Sequence, residues 1–513
     1  LSFDGGSDQL RFALRVNYDN EKGVMKGAGR ERKSANLQID YRLKKFQIKN
    51  DFTYDIVDAQ DSPYGSFSEY TRKNPYDEAF DANGKPVEKT TLWRWIGSEL
   101  ARVNPLYEAL MTRNFSNNSY HAITNNTGIT WTPLSKLTVR GEIALGRKIA
   151  RTDKFIDPAS ATQTGIDNKG REGKLTIGRT DAYTFNTNIF ASYVNNFGGH
   201  NMLLSGGVNI MENKGSQVSE YYAGFPSGEL NSPNYAAFMD RKSTYVDNIN
   251  RLIGMFTQLN YTYRDIYLLD LAGRIDGNSS FGDDRRFAPF WSVGSGINLH
   301  NYDFFKGNKI FNRVKLFGSF GQLGKTNFAP YAAKGTYTVN QSIYSTGTGV
   351  LIKAMENPLL SWEITNTTDL GVELSMLQNK LNVNVNWYDK VTKDLVNDVD
   401  MPISSGFPTY KDNVGKIRNR GIELRLSFDI IRKKDFYFSV FGTFASNKNT
   451  LLELSNSLRR YNELVNDEYK DFNDALAVTE DPARKKKYTT AHTKYVEGAS
   501  VTAIYGMRSL GVN

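Results

Sequence analysis

Few residues in this chain are of types that could do covalent chemistry. Its 513 residues include no cysteine and only four histidines, His121, His200, His300 and His492, which stand far apart. Thiolate nucleophiles, disulfide frameworks and Cys-ligated metals are therefore excluded, and the histidines have no metal-ligand spacing. The stretch Gly318-Ser319-Phe320-Gly321-Gln322-Leu323-Gly324-Lys325-Thr326 looks like a phosphate-binding loop. That motif needs glycine where Ser319 stands and a helix where Asn327-Phe328-Ala329-Pro330 follows, so the stretch reads as a strand ending in a glycine-rich loop. Asp276, Asp283 and Asp284 lack the alternating ligand spacing of a calcium loop, and they face Arg285 and Arg286 as an ion-pair set would. No Gly-x-Ser-x-Gly elbow and no Ser-His-Asp set is present, and no spacing points to the carboxylate pair of a glycosidase. The sequence thus offers no catalytic residue, no metal site and no cofactor. What it does offer is contact chemistry. Tyr64, Phe67, Tyr70, Tyr76, Trp93, Trp95, Tyr107, Tyr221, Tyr222 and Phe225 are loop aromatics whose flat faces could stack on sugars or peptide side chains. The same rings could equally pack the loops against one another.

The elements that would carry those loops are written in a period of two. Leu10, Phe12, Leu14, Val16 and Tyr18 are apolar, with Arg11, Arg15 and Asn17 between them. Successive side chains of a strand point to opposite faces, so one face is greasy and the other polar. The pattern returns in Phe46, Ile48, Phe52, Tyr54, in Tyr183, Phe185, Ile189, Tyr193 and in Leu381, Val383, Val385, Trp387. It predicts about fifteen strands of roughly 9 to 11 residues, the length that crosses a bilayer when tilted. Tight polar turns, such as Leu43-Lys44-Lys45 and Arg264-Asp265, alternate with long polar segments at 57–118, 146–181, 211–250, 321–365 and 390–418. Short turns on one edge and long loops on the other are the layout of an outer-membrane barrel.

Composition agrees. The chain has 29 Tyr, 30 Phe and 6 Trp, too many for a disordered chain. Its net charge of +9 is spread along the strands, which argues against nucleic acid as a partner. The one dense basic run, Arg484-Lys485-Lys486-Lys487, reads as a solvated loop. No stretch approaches the roughly 18 to 20 apolar residues of a membrane-spanning helix. Trp131, Tyr193, Tyr261 and Tyr263 lie by short turns and Tyr18, Trp291 and Trp387 near long loops, as two aromatic girdles would.

Several segments carry a family resemblance. Arg274 and Asp276-Gly277-Asn278-Ser279-Ser280-Phe281-Gly282, followed by Arg286-Phe287-Ala288-Pro289-Phe290-Trp291-Ser292, are similar to the "R-x-D-G-S-S-x-F … R-x-x-x-F-P-S" hairpin of the SusC/RagA family of TonB-linked outer-membrane transporters from Bacteroidota. Trp291 stands where that family usually has proline. Val314-Lys315-Leu316 through Gly324 resembles its "L-K-L-R-x-S-Y-G-x-x-G-N" strand, with Lys325 replacing the asparagine. Asn357-Pro358-Leu359-Leu360-Ser361-Trp362-Glu363 resembles "N-P-x-L-x-W-E". Asn413, Gly415, Asn419, Gly421 and Glu423 fall in a segment similar to "N-x-G-x-I-x-N-K-G-x-E". Ser62-Pro63-Tyr64-Gly65 and Asn74-Pro75-Tyr76 also match.

The resemblance implies an all-β, antiparallel transmembrane barrel of about 22 strands, with short periplasmic turns and long extracellular loops around a plug. Leu1 to Tyr18 reads as a first barrel strand. Residues 1–449 are expected to supply the barrel wall and its loops, and residues 450–513 an extracellular loop region leading to further strands. The implied function is TonB-dependent active import of glycans or oligopeptides across the cell outer membrane, not catalysis. The implied partners are a SusD-like surface lipoprotein, TonB acting through a plug that this chain lacks, and outer-membrane lipid. A passive porin-like channel and a soluble carbohydrate-binding β-protein are the alternatives.

Overall fold

A computed structural model describes residues 1–71, 76–90, 102–163, 170–305, 308–326, 328–344, 347–400, 406, 409–454, 458–460, 462–463 and 495–503. The strands, in chain order, are β1 (Ser2–Gly6), β2 (Leu10–Lys22), β3 (Gly29–Leu43), β4 (Phe46–Gln60), β5 (Lys89–Thr90), β6 (Arg102–Val103), β7 (Phe115–Leu134) and β8 (Leu137–Ile156). There follow β9 (Lys174–Phe197), β10 (His200–Ala223), β11 (Phe238–Tyr263), β12 (Tyr267–Asn278), β13 (Phe287–Asn298), β14 (Phe311–Lys325), β15 (Thr336–Tyr344) and β16 (Gly347–Ala354). The last are β17 (Glu363–Met376), β18 (Leu381–Lys393), β19 (Val396–Asp400), β20 (Thr409–Asn413), β21 (Lys416–Arg432) and β22 (Tyr437–Glu453). Sixteen of them form one sheet in the order β1-β2-β3-β4-β7-β8-β9-β10-β11-β12-β13-β14-β17-β18-β21-β22. The pairs β5–β6, β15–β16 and β19–β20 are separate two-stranded hairpins. Two short helices, α1 (Phe67–Thr71) and α2 (Pro105–Met111), lie in the connection between β4 and β7.

The chain divides into two compact units, one of Leu1–Pro133, Thr138–Ile189 and Ile210–Arg251, the other of Leu134–Leu137, Phe190–Asn209 and Leu252–Asn513. In the first, alternation puts Leu10, Phe12, Leu14, Val16 and Tyr18 on an open face, each between 36% and 60% exposed. The opposite face is a hydrogen-bonded polar lattice. Arg15 donates to Gln38 at 3.1 Å, Gln38 to Asp51 at 2.9 Å, and Asn36 to Asp51 at 2.7 Å and Thr53 at 2.8 Å. In the second unit β17 pairs with β18 so that Val372 opposes Val385 while Glu373 opposes Asn384. Monomeric soluble proteins rarely leave so much contiguous apolar surface open.

Many of the connections are tight, among them those after β3, β7, β9, β11, β17 and β21, although the one between β13 and β14 runs over 299–310. Several of the tight ones need left-handed backbone. Gly198 and Gly199 have φ of 54° and 84°, and Arg264 and Asp265 have 52° and 57°. Positive φ at both central residues is the two-residue hairpin geometry that matches strand twist. By these turns Phe46 stacks on Trp131 at 5.8 Å and His200 lies 4.7 Å from Tyr263, ring to ring.

Two expectations need correction. Residues 1–18 hold a hairpin, β1 turning into β2 through residues 7–9, rather than one strand, while the sixteen strands of the sheet agree with the expected count of about fifteen. The strands are also far longer than expected: β7 to β11 have 20, 20, 24, 24 and 26 residues. Much of 146–181 and 211–250 is therefore strand. Beyond the apolar band both faces carry polar groups, so the two-residue contrast fades while the backbone ladder continues. The phosphate-loop lookalike lies in β14, a strand through Lys325.

The two faces yield a test. Ile189→Arg, at a 57% exposed position of the apolar face, should lower the stability of the membrane-inserted protein by about 2–4 kcal/mol, while Asn188→Arg on the polar face should cost little. Urea unfolding in lipid vesicles checks this, and equal costs at both positions would refute the assignment of faces.

Candidate functional site

The long connections are folded bodies with their own interiors. In the first unit, Phe155, Leu175, Ile177 and Phe225 form a core, with Phe115, Tyr222 and Ala236 packed against it. The ring of Phe225 meets that of Phe155 edge-on at 5.3 Å. Helix α2 begins at Asn104, whose Oδ1 accepts from the Leu106 amide at 3.1 Å, and Pro105 takes the first turn, where its missing N–H costs nothing. The Asn104 amide nitrogen donates to the carbonyls of Ala79 and Val87 at 2.8 and 2.9 Å, pinning the helix to the 79–87 segment. Two buried carboxylates complete this body. Glu108 accepts from the Ala161 amide at 2.8 Å and Asn114 at 2.6 Å; Asp157 accepts from the amides of Arg113 at 2.7 Å and Ala159 at 2.9 Å. Such charge-assisted bonds offset the burial of a carboxylate.

The loop aromatics separate into distinct environments. The hydroxyl of Tyr70 donates to the carbonyl of Tyr64 at 3.0 Å, and its burial raises the phenol pKa. The hydroxyl of Tyr107 donates to the carbonyl of Ala159 at 3.3 Å; burial, then the carboxylates of Glu88 and Glu108, raise its pKa. Tyr222 and Phe225 belong to the core. Arg241 lies 3.6 Å from the ring centre of Tyr221. Phe67 and Tyr76 hold open rings, 65% and 86% exposed. Trp93 and Trp95, like Asn74, Pro75, His492 and the basic run at 484–487, lie outside the described residues.

In the second unit the positions quoted for the family resemblance converge. Phe281, Ala288, Phe290 and Trp362 form one buried cluster, with Phe281 and Trp362 ring centres 4.4 Å apart. The indole N–H of Trp362 donates to the Arg286 carbonyl at 3.1 Å. Gly282 donates to the Leu360 carbonyl at 3.0 Å, and a side-chain carbon at Gly282 would fall 2.0 Å from the Pro358 oxygen, so only glycine permits this backbone-on-backbone contact. Likewise a Cβ at Gly277 would strike the Phe287 ring.

Asparagines then tie the connections together. Asn357, almost fully buried, donates to the Lys411 carbonyl at 2.8 Å and accepts from the Leu359 amide at 3.0 Å. Asn413 accepts from the Ser361 amide at 2.7 Å and donates to the Ser361 and Asp394 carbonyls at 2.9 and 2.8 Å. Glu363, also buried, accepts from the Val396 amide at 3.0 Å. Asp276 pairs with Arg274 at 2.5 Å, and Asp283 pairs with Arg286. Gly415 takes a φ of 99° at the foot of β21; Asn419 accepts from Asn449 at 2.9 Å; Gly421 lets the Tyr388 hydroxyl pass close by. Glu423 faces Asn386 across the β18–β21 pair and takes no part in the knot. Among the described residues no group of three or more His, Asp or Glu is placed to hold a metal ion.

The polar face of the first unit also holds a recess of about 1220 Å³, whose lining includes Arg11, Asp40, Lys49, Asp51, Arg140 and Glu142. Mixed charge in an open, wet concavity suits transient contact with polar cargo or with another protein segment.

A wide antiparallel sheet, greasy on one face and polar on the other, with tight turns alternating with folded loops, is the wall of a membrane β-barrel. The chain belongs to the TonB dependent receptor-like, β-barrel family, whose family model matches residues 40–489. It is 26% identical over 470 residues to TonB-dependent receptor P26 of Formosa agariphila, covering 88% of this chain and 45% of that protein. It is 22% identical over 490 residues to TonB-dependent receptor SusC of Bacteroides thetaiotaomicron, covering 89% and 47%. The chain thus spans less than half the length of these curated relatives. In fold it resembles the RagAB peptide importer in its open-open state, with a TM-score of 0.76, 23% identity, and 89% of this chain and 50% of that chain covered. The family is one of receptors, not enzymes.

Asn357→Ala and Asn413→Ala should each leave buried backbone groups unpaired, at about 1–3 kcal/mol apiece. The loss should appear as faster proteolytic cleavage within 326–362 and 394–415 with the sheet intact; unchanged cleavage would show that these asparagines do not hold the loops.

Proposed function

We propose that this chain forms part of the barrel wall of an outer-membrane importer that takes up glycans or oligopeptides, driven by TonB through a plug. In this reading residues 1–449 are barrel strands and loops, and 450–513 belong to a loop region leading to further strands. A SusD-like lipoprotein covers the long-loop end. The observation that carries the proposal is the division of the sheet into an open apolar face and a hydrogen-bonded polar face, which fits a wall between lipid and a wet lumen. Membership of the TonB-dependent receptor family supports active uptake over a passive pore. The name of one structural neighbour, the RagAB peptide importer, supports peptides as cargo, and glycans and the lipoprotein rest on the family resemblance of the sequence. Phe67 and Tyr76, with their open rings, are the loop aromatics best placed to meet cargo.

The test is fractionation of cells expressing the full-length gene product. It should sediment with outer membranes, shift in gel mobility on heating, and bring down a surface lipoprotein under gentle detergent. A soluble product, or one unchanged by heating, would sink the barrel reading; a membrane protein purified alone would sink the lipoprotein pairing. Phe67→Ala with Tyr76→Ala should cut cargo affinity about fivefold or more, at roughly 1–3 kcal/mol per stacked ring pair lost in comparable aromatic recognition; unchanged affinity would remove both from the site.

A further inference from the structure

Above the apolar band, the outward face of the first unit changes character within one residue pair on adjacent strands. In β8 the open positions Ile143 and Leu145, 45% and 40% exposed, are followed on the same face by Arg147. In β9, Tyr183, 38% exposed, shares its face with Asp181 and Arg179. In β10, Ile210, 39% exposed, is followed by Glu212 and Lys214. Arg147 pairs with Asp181 at 2.8 Å, and Arg251 of β11 with Glu212 at 2.5 Å. Arg179 and Lys214 are exposed and lie outside the close ion pairs, although Lys214 is near enough to Asp181 to act on its charge. With Arg151 and Asp153, paired at 2.8 Å further along the same face of β8, and Asp247 on the same face of β11, the belt holds five cations against four carboxylates. Two residues beyond Arg179, on the same face, Ile177 is already buried in the loop core with Phe155 and Phe225. On β9 the belt is thus a strip, greasy below and roofed by folded loop above, while on β8 the exposed Ile149 follows Arg147 on the same face.

We propose that this strip, Arg147, Arg179, Lys214 and Arg251, docks the anionic, phosphate-bearing head group of an outer-leaflet glycolipid. The inference rests on the reading of the sheet as an outer-membrane wall. A cation directly above an apolar band sits where a lipid's charged head meets its chains, and each exposed Lys or Arg there contributes about 1 kcal/mol toward an anionic surface. A soluble anion would gain nothing from the greasy band beneath. A lipid fills both halves, with phosphate on Arg179 and Lys214 and acyl chains along Ile143, Leu145 and Ile210. Asp181 and Glu212 hold Arg147 and Arg251 upright and keep the strip from repelling itself when no lipid is bound.

The experiment uses full-length protein in detergent, with bisphosphorylated lipid A, its dephosphorylated form and inorganic phosphate as probes, read by native mass spectrometry and thermal shift. Bisphosphorylated lipid A should bind and raise the melting temperature. The Arg179→Ser/Lys214→Ser variant should bind it about thirtyfold more weakly, from the loss of two such contacts. Lys49→Ser, on the polar face, should leave binding unchanged. Equal binding by the double variant, or equal binding of the dephosphorylated lipid, would overturn the proposal. Saturable stabilisation by inorganic phosphate alone would overturn the lipid as its source. If the double variant does not fold, the wild type decides: affinity must fall steeply with salt, and salt-independent binding counts against the strip. Failure of the protein to reach the outer membrane would sink the importer reading instead, whereas unchanged lipid binding in a correctly inserted variant sinks only this site.

Discussion

Inside a bilayer the backbone has no water to bond, so every N–H and C=O must find a partner along the sheet. That one constraint organises the molecule. It requires long ladders with unbroken pairing, as in the register running from Leu252 opposite Asn278 to Tyr263 opposite Tyr267. Once the backbone is satisfied, side chains are free to differ between the two faces, and alternation writes lipid on one and water on the other.

Beyond the band the same ladders continue into water, and the problem becomes how to fix long connections without a large core. The structure solves it locally. Each loop body has a few aromatic residues and a set of buried polar side chains that cap loose backbone groups. Asn357 and Asn413 act like added peptide units, each offering a donor and an acceptor to a neighbouring connection. Gly282 lets two backbones touch. Loops held in this way can present a defined surface to cargo or partner, and Phe67 and Tyr76 are the most exposed of the described loop aromatics singled out from the sequence.

The strands were legible in the sequence wherever one face meets lipid, because Leu10 to Tyr18 or Leu381 to Trp387 cannot alternate so cleanly without a sheet. The strand extensions, such as Arg147 to Ile156, were not, since charged residues on both faces blur the two-residue contrast before Phe155 enters the loop core. The short β1 was hidden for a related reason: Ser2–Gly6 has one large apolar residue, Phe3, too few to alternate, and its pairing with Arg11–Arg15 makes it a strand. In the loops, the family-like positions marked where structure would be. What the sequence could not show was partnership. That Asn357 would bond Lys411, or Trp362 would cap Arg286, depends on contacts between connections far apart in the chain. The same blindness applies to aromatics: Tyr222 and Tyr76 look alike as letters, yet one packs a core and the other faces solvent.

The two-faced wall can be tested directly, and this chain contributes no cysteine of its own to the background. Single cysteines placed along β9 from 183 to 193 in the full-length protein, spin-labelled in lipid vesicles, report collision with lipid-dissolved oxygen. The account predicts high oxygen access at odd positions, including Tyr183→Cys and Ile189→Cys, and low access at even ones, including Asn186→Cys and Asn188→Cys. Uniform access along the strand, or a period near 3.6, would contradict it.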